Sequence, residues 1–295
     1  PWEWFRSLLL PALAVSLSGA ATLAKQTRAA MLEAFSMDFV RVMQANGFSR
    51  RSIVYRHALR NAAIPVVTIV GVISVSLRHF FPEHWDGVGN DYKMAQHVSD
   101  VIAFIEQVEP RPVDLMGHSR GGHIAFRVAE RRPDLLRKLV LAEPGGDIDA
   151  SLLEPGRPPP PPMPLALVMP AVLKNIRSGE IDIALKTFVD GIDGDGAWAR
   201  LPAAAKQQLR DNVFTLLGQA GEDRKPFTKA QAESIRMPTL LIGGGDTRGS
   251  LAAIHRMLAP HITGSKTIMI EGARHWMFDD APLDYCEAVN AFLGN

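Results

Sequence analysis

The feature that most constrains the fold is the pentapeptide Gly117-His118-Ser119-Arg120-Gly121, which stands between a short apolar run and a stretch of helix-forming residues. This order predicts a strand, a sharp turn and a helix, with the serine at the apex in a strained conformation that exposes its hydroxyl. We expect glycine at positions 117 and 121 because a side chain there would collide across the turn. The pattern Gly-x-Ser-x-Gly is weak alone and gains weight from this placement.

Two later apolar runs are each followed by a residue suited to acid–base chemistry. Residues 237–243 predict a buried strand with Asp246 after it, and residues 266–270 predict a strand with His275 after it. A serine hydroxyl becomes a good nucleophile when an imidazole takes its proton and a carboxylate orients the imidazole. Each residue alone could be an ordinary turn or loop residue, but together they predict a triad of Ser119, Asp246 and His275. Glu143, after another apolar run, is the alternative acid.

Residues from about 73 to 295 resemble the α/β-hydrolase family, in the pentapeptide and in the order serine, acid, histidine. The resemblance implies an α/β fold with a mostly parallel sheet and a helical lid at about residues 148–235. It also implies hydrolysis of a carboxylic ester or related small-molecule acyl substrate, with Ser119 as nucleophile and the Arg120 backbone amide as oxyanion donor. No cofactor or metal is implied.

The sequence departs from the family's pattern before the pentapeptide. A strand is expected at residues 72–77, but the earlier strands of the family are missing. So is the loop, often His-Gly, that supplies a second oxyanion amide, since no His-Gly occurs between residues 59 and 116. Loss of one oxyanion donor typically costs about a hundredfold to a thousandfold in rate. The expected fold is therefore a truncated α/β-hydrolase, and the missing loop predicts impaired catalysis.

The first 75 residues differ in character from the rest. They hold 8 Lys and Arg against 3 Asp and Glu, whereas the remainder holds 24 against 28. Residues 7–24 form an uncharged, mostly apolar run of 18 residues, at the lower limit for a membrane-spanning helix. Residues 38–65 resemble the cytoplasmic coupling loop of dipeptide and oligopeptide ABC-transporter permeases, on Gln44-Ala45-Asn46-Gly47 and on Ile64-Pro65.

The second resemblance implies an all-α segment at residues 1–72 that contacts a membrane or the ATPase subunit of an ABC transporter. The chain would then have two domains, 1–72 and 73–295, with a cytoplasmic hydrolase domain and possible attachment to the inner membrane. Transport by this chain alone is not expected, because a permease needs several more spanning helices. An alternative is a basic, amphipathic helical hairpin lying on protein or on a membrane surface.

Three functions remain open from the sequence: a serine hydrolase, a membrane component of a peptide ABC transporter, and a catalytically inactive fusion product. Nucleic-acid binding is not expected, because the basic residues are not interleaved with aromatic ones. No nucleotide-binding loop or metal-binding motif is present, and a single cysteine, Cys286, excludes an internal disulfide.

Overall fold

A computed structural model describes residues 75–83, 85–89, 91–108, 111–153, 156 and 164–294. The elements below belong to the second of two units of the chain, Ser76–Asn295. The permease-like segment expected at residues 1–72 lies outside the described residues. The strand expected at residues 72–77 is described only from residue 75, and residues 75–77 form neither strand nor helix.

Four parallel strands form one sheet with the order β1-β2-β3-β4: β1 (Val113–His118), β2 (Leu136–Ala142), β3 (Thr239–Gly244) and β4 (Lys266–Ile270). The two central strands, β2 and β3, are almost completely buried. Parallel strands covered on both faces read as continuous apolar runs, which is how these segments appear in the sequence. The α/β fold and its parallel sheet are thereby confirmed.

Helices precede, separate and follow the strands along the chain. In chain order they are α1 (Met94–Ile105), α2 (Arg120–Arg131), α3 (Pro164–Arg177), α4 (Ile181–Asp193), α5 (Ala197–Arg200), α6 (Ala203–Asp211), α7 (Thr215–Ala220), α8 (Lys229–Ser234), α9 (Gly249–Leu258), α10 (Met277–Asp280) and α11 (Pro282–Leu293). The helix expected after the serine ends at Arg131, before Pro133, and the last helix begins at Pro282. Both boundaries agree with the usual places of proline, which ends a helix from just beyond it and is favoured in the first turn.

Alternate residues of the central strands contribute to two separate cores, because successive side chains of a strand point to opposite faces. Leu139 and Leu141 join a core that also contains Phe126 of α2. Val140 and Ala142 join a second core that contains Phe292 of α11. The sheet is therefore covered on both faces, and its carboxyl edge is left for the loops that follow each strand.

Among the described residues, six helices, α3 to α8, lie between β2 and β3, and we call the segment that holds the first five, residues 164–220, the helical insertion. It has hydrophobic clusters of its own, around Val172 and Leu185 and around Val189. Ile148 and Phe227, which stand before and after the insertion in the sequence, form an isolated parallel bridge. Turns at residues 212–214 separate α6 from α7.

Candidate active site

Ser119 sits at the turn between β1 and α2 with φ 51° and ψ −117°, a conformation that residues other than glycine rarely adopt. Its backbone is held by three hydrogen bonds. The Ser119 N–H donates to the Ala142 carbonyl at 2.9 Å, and its carbonyl accepts from His123 N at 3.1 Å and Gly145 N at 2.9 Å. The strained apex expected from the sequence is confirmed.

The turn requires glycine at one of the two expected positions and at one that was not expected. A Cβ on Gly117 would lie 2.2 Å from the carbonyl oxygen of Gly121, so no side chain fits there. The expectation for Gly121 is wrong, since a Cβ there would meet no atom within 4 Å. The second tight approach is at Gly122, where a Cβ would lie 2.9 Å from the Cα of Pro144, because the chain leaving β2 crosses close to α2.

His275, in the loop after β4, is hydrogen-bonded to Glu143, which directly follows β2. The distance from His275 Nδ1 to Glu143 Oε2 is 2.7 Å, and both side chains are buried. The carboxylate accepts, so the neutral imidazole carries its proton on Nδ1 and keeps a free lone pair on Nε2. This arrangement leaves Nε2 available as a base.

The Glu143 carboxylate is stabilised in its ionised form although it is buried. Burial by itself would raise its pKa, but the hydrogen bond and charge of His275 and the N–H of Gly244 outweigh that cost and lower the pKa of Glu143. The N–H of Gly244 donates to Glu143 Oε1 at 2.8 Å. A Cβ on Gly243 would lie 3.3 Å from the same oxygen, so glycine at the end of β3 leaves room for the carboxylate.

Asp246, the acid favoured by the sequence, is placed elsewhere. Its backbone N–H donates to the Ala273 carbonyl at 2.9 Å, but its side chain is 52% exposed and lies 3.8 Å from Arg248. Within the described part of the chain it has no hydrogen bond or ion pair with His275. The physical reason is position: Asp246 comes after the turn at Gly245, whereas Glu143 is the residue next to the end of a buried strand. The structure therefore pairs His275 with the alternative acid.

Two further side chains hold the loop that carries His275. His118 Nε2 donates to the His275 carbonyl at 2.8 Å, and Asp193 at the end of α4 accepts from the His275 N–H at 3.1 Å. Desolvation and the neighbouring His275 lower the pKa of His118 to about 3, so its ring stays neutral near pH 7. The sequence places His118 beside the serine, but it holds no signal for Asp193, which comes from a distant helix.

The space beside the serine is bounded by Gly145. A Cβ on this buried residue would lie 3.6 Å from Ser119 Oγ and 3.8 Å from Arg120 N. The Ser119 hydroxyl makes no hydrogen bond to His275 or to another described residue. Bonds between a catalytic serine and its base are often long in free enzymes and tighten when substrate binds.

A cavity of about 780 Å³ borders α2 away from Ser119. Trp85, Tyr92, Leu217 and Glu222 are among its lining residues, whereas Ser119 and His275 are not. Since it does not reach the serine, we do not assign it to the chemistry at Ser119. The described residues also contain no group of three or more His, Cys, Asp or Glu side chains arranged to hold a metal ion.

Comparison with known families decides the classification of the fold. The model described as "Alpha/beta hydrolase family" matches residues 45–289. The chain belongs to the alpha/beta hydrolase family. Membership accounts for the parallel order of the strands and for the strained serine between β1 and α2.

Solved alpha/beta hydrolases share this fold at low sequence identity. The enol-lactonase from Burkholderia xenovorans LB400 is 18% identical with a TM-score of 0.57, covering 75% of this chain and 79% of that chain. The esterase EaEST from Exiguobacterium antarcticum is 19% identical with a TM-score of 0.60, covering 75% of this chain and 81% of that chain. At such identities the similarity extends to the fold alone.

The amino-terminal part of this alpha/beta hydrolase matches a different family. The model "Binding-protein-dependent transport system inner membrane component" matches residues 1–79. The dipeptide transport system permease protein DppB of Haemophilus influenzae is 38% identical over 127 residues, which cover 38% of this chain and 38% of that protein. The di/tripeptide permease DppB of Pseudomonas aeruginosa is 46% identical over 67 residues, 23% of this chain and 20% of that protein.

The chain thus spans only about a fifth to two fifths of the length of these curated permeases. The resemblance of the amino-terminal segment to permeases is confirmed at this level. Among the residues that the structure describes, no helix has both the length and the apolar character needed to cross a membrane.

Proposed function

We propose that this alpha/beta hydrolase is a serine hydrolase acting on a carboxylic ester or related acyl compound, with Ser119, His275 and Glu143 as its triad. The observation that carries the proposal is the 2.7 Å hydrogen bond between buried His275 and buried Glu143, in loops at the same sheet edge as the strained Ser119. The activities for which two solved neighbours are named, those of an enol-lactonase and an esterase, agree with acyl chemistry.

In this proposal each group has one task. Ser119 Oγ attacks the acyl carbonyl carbon while His275 Nε2 takes the hydroxyl proton, and the Glu143 carboxylate stabilises the imidazolium. The Arg120 N–H donates to the oxyanion, and His275 then returns the proton to the leaving group. Water attacks the acyl-enzyme with His275 again acting as base, which releases the acid and restores Ser119. Productive contact requires a hydrogen bond from the Ser119 hydroxyl to His275 Nε2, which would form when substrate binds.

The oxyanion site is the weak point of this mechanism. Arg120 is the donor that the family's elbow provides, and no His-Gly motif precedes it between residues 59 and 116. A site with one donor should turn over about a hundredfold to a thousandfold more slowly than a site with two. We therefore expect slow hydrolysis, and acylation should be easier to detect than sustained turnover.

Labelling with a fluorophosphonate probe tests the proposed function, because the probe reacts with activated serines and needs no second step. We expect one label, mapped to Ser119 by peptide mass spectrometry, and none in Ser119→Ala. The Ser119→Ala protein should keep the wild-type circular dichroism spectrum. The label is then lost because the hydroxyl is absent and not because the protein is unfolded. A folded wild-type protein that takes no label would reject the function and favour a catalytically inactive fusion product.

A second function rests on the match of residues 1–79 to permeases. We propose that this segment associates with the inner membrane or with the ATPase subunit of a peptide ABC transporter, leaving the hydrolase domain in the cytoplasm. Flotation of the full chain with lipid vesicles, compared with a chain lacking residues 1–72, tests the membrane contact. Flotation that persists after the deletion would contradict the role given to this segment.

A further inference from the structure

Arg120 connects the serine turn to a buried polar cluster. Its backbone N–H belongs to the first residue of α2, next to Ser119, while its side chain runs away from the serine and is 9% exposed. Both terminal nitrogens of the guanidinium donate to Glu222: Nη1 to Oε2, and Nη2 to Oε1 at 2.7 Å. The Glu222 side chain is only 1% exposed, so this bidentate pair is shielded from water.

The Arg120 guanidinium makes two further contacts, while its Nε has no hydrogen-bond partner among the described residues. The ring of Tyr92 lies 4.9 Å from it, and Nη2 donates to His97 Nδ1 at 3.1 Å. Desolvation and the positive charge of Arg120 lower the pKa of His97 to about 4, which keeps that ring a neutral acceptor. Arg224 lies 3.5 Å from the same Glu222 carboxylate. A planar guanidinium bound at its edge and on its face has little freedom to move.

Glu222 comes from the chain that leaves the helical insertion, just after α7. This part of the chain is packed closely against the cluster, since a Cβ on Gly218 would lie 2.5 Å from Cγ of Tyr92. The same insertion reaches His275 through Asp193, whose carboxylate accepts from the His275 N–H. The insertion and the residues just after it therefore contact both Arg120, next to Ser119, and the loop that carries the proposed base.

We propose that Glu222 is a positioning residue for the reaction at Ser119: through the side chain of Arg120 it fixes the direction of the Arg120 N–H. This inference rests on the function proposed above. An oxyanion donor stabilises a transition state only if it is aimed before the reaction begins, because reorientation during the reaction would consume the gain. The aim of this amide would matter more in a site with a single donor, which is what the sequence predicts here.

A buried carboxylate between two guanidiniums also contributes to folding, and its removal leaves uncompensated charge. The experiment must therefore distinguish a slower reaction at Ser119 from a less stable fold. We choose Glu222→Gln, which keeps the shape and removes the charge, and the milder Glu222→Asp, which keeps the charge and withdraws it by one methylene. Asp182→Asn is the matched control, since Asp182 also binds an arginine, Arg210, through two oxygens, but on the exposed surface of the insertion.

Each full-length variant is assayed for hydrolysis of a p-nitrophenyl ester and for the rate of fluorophosphonate labelling, at a temperature where circular dichroism shows it folded. We expect kcat to fall about tenfold to a hundredfold in Glu222→Gln, with KM changed less than about threefold, since misaligned donors mainly affect the transition state. Labelling should slow by the same factor. Asp182→Asn should match the wild type within about twofold in both assays.

The outcomes separate this inference from the function on which it rests. An active wild type with an equally active, folded Glu222→Gln or Glu222→Asp would overturn the positioning role alone. A rise in KM at constant kcat would also overturn it. A folded wild type that takes no label would remove the proposed function, and the positioning role with it. Failure of both Glu222 variants to fold would assign the pair to stability only.

Discussion

Replacing Glu143 by glutamine gives the sharpest test of which carboxylate serves His275. The Glu143 carboxylate accepts from His275 Nδ1 through one oxygen and from the Gly244 N–H through the other. Glutamine has a single acceptor oxygen. If that oxygen stays on Gly244, the amide NH2 faces His275 and forces the imidazole proton onto Nε2, where it cannot accept the serine proton. The opposite orientation sets the NH2 against the Gly244 N–H.

The expected fall in kcat can be estimated from the loss of the imidazole tautomer that acts as a base. An aspartate-to-asparagine change in a serine triad lowers kcat by about ten thousandfold, or about 5.5 kcal/mol in the barrier. We expect Glu143→Gln to lose between about a thousandfold and ten thousandfold in kcat. Asp246→Asn should stay within about twofold of the wild type, because the Asp246 side chain is 52% exposed and does not contact His275.

Steady-state hydrolysis of a p-nitrophenyl ester, with the fluorophosphonate labelling rate as a second readout, measures both variants. Thermal unfolding is the control, because a variant that is folded at the assay temperature reports chemistry and not stability. The reasoning is refuted if Asp246→Asn loses as much activity as Glu143→Gln, or if Glu143→Gln keeps more than about a tenth of the wild-type rate.

Three further outcomes are expected. Gly145→Ala should keep the wild-type thermal midpoint, because the added Cβ lies at ordinary contact distances of 3.6 Å and 3.8 Å. Its kcat/KM should nevertheless fall at least about tenfold, because the methyl group fills the space beside Ser119. Wild-type kinetics would contradict this expectation. His118→Phe should lower both stability and kcat by leaving the His275 carbonyl without its donor, and an unchanged kcat would reject that role. Burial lowers the pKa of His97 to about 4 and of His123 to about 3, both below the unfolded value of about 6.5. The contribution of these neutral histidines to the free energy of unfolding is therefore fully present above about pH 6.5. It falls as the pH is lowered toward 4, by about 2 kcal/mol per histidine at pH 5. Equal urea midpoints at pH 7 and pH 5 would contradict the assignment.

The fold and the serine turn were predictable because their signals are local. Continuous apolar runs predict the buried strands β2 and β3, and glycines and prolines mark the turn and the helix ends. Gly121 and Gly122 show the limit of such reasoning. Which of two adjacent glycines is required depends on where Pro144 passes, and that is a contact between segments distant in sequence.

The partner of His275 could not be settled from sequence for the same reason. Asp246 and Glu143 both follow apolar strands, and a pattern along the chain does not state which carboxylate points toward a third strand's loop. One sequence signal could have favoured Glu143. Gly243 leaves room for a neighbouring carboxylate, and Gly244 supplies an N–H for it. Asp193 lies in the helical insertion and Glu222 lies just after it, and no local pattern links either residue to the site.

The most direct test of the central claim is the crystal structure of the protein after reaction with a fluorophosphonate. We expect phosphorus bonded to Ser119 Oγ, a phosphonyl oxygen accepting from Arg120 N, and His275 Nε2 within about 2.6–3.2 Å of an oxygen on phosphorus, with Glu143 still bound to Nδ1. An adduct on another residue, or a His275 ring that remains out of reach of Ser119, would contradict the account.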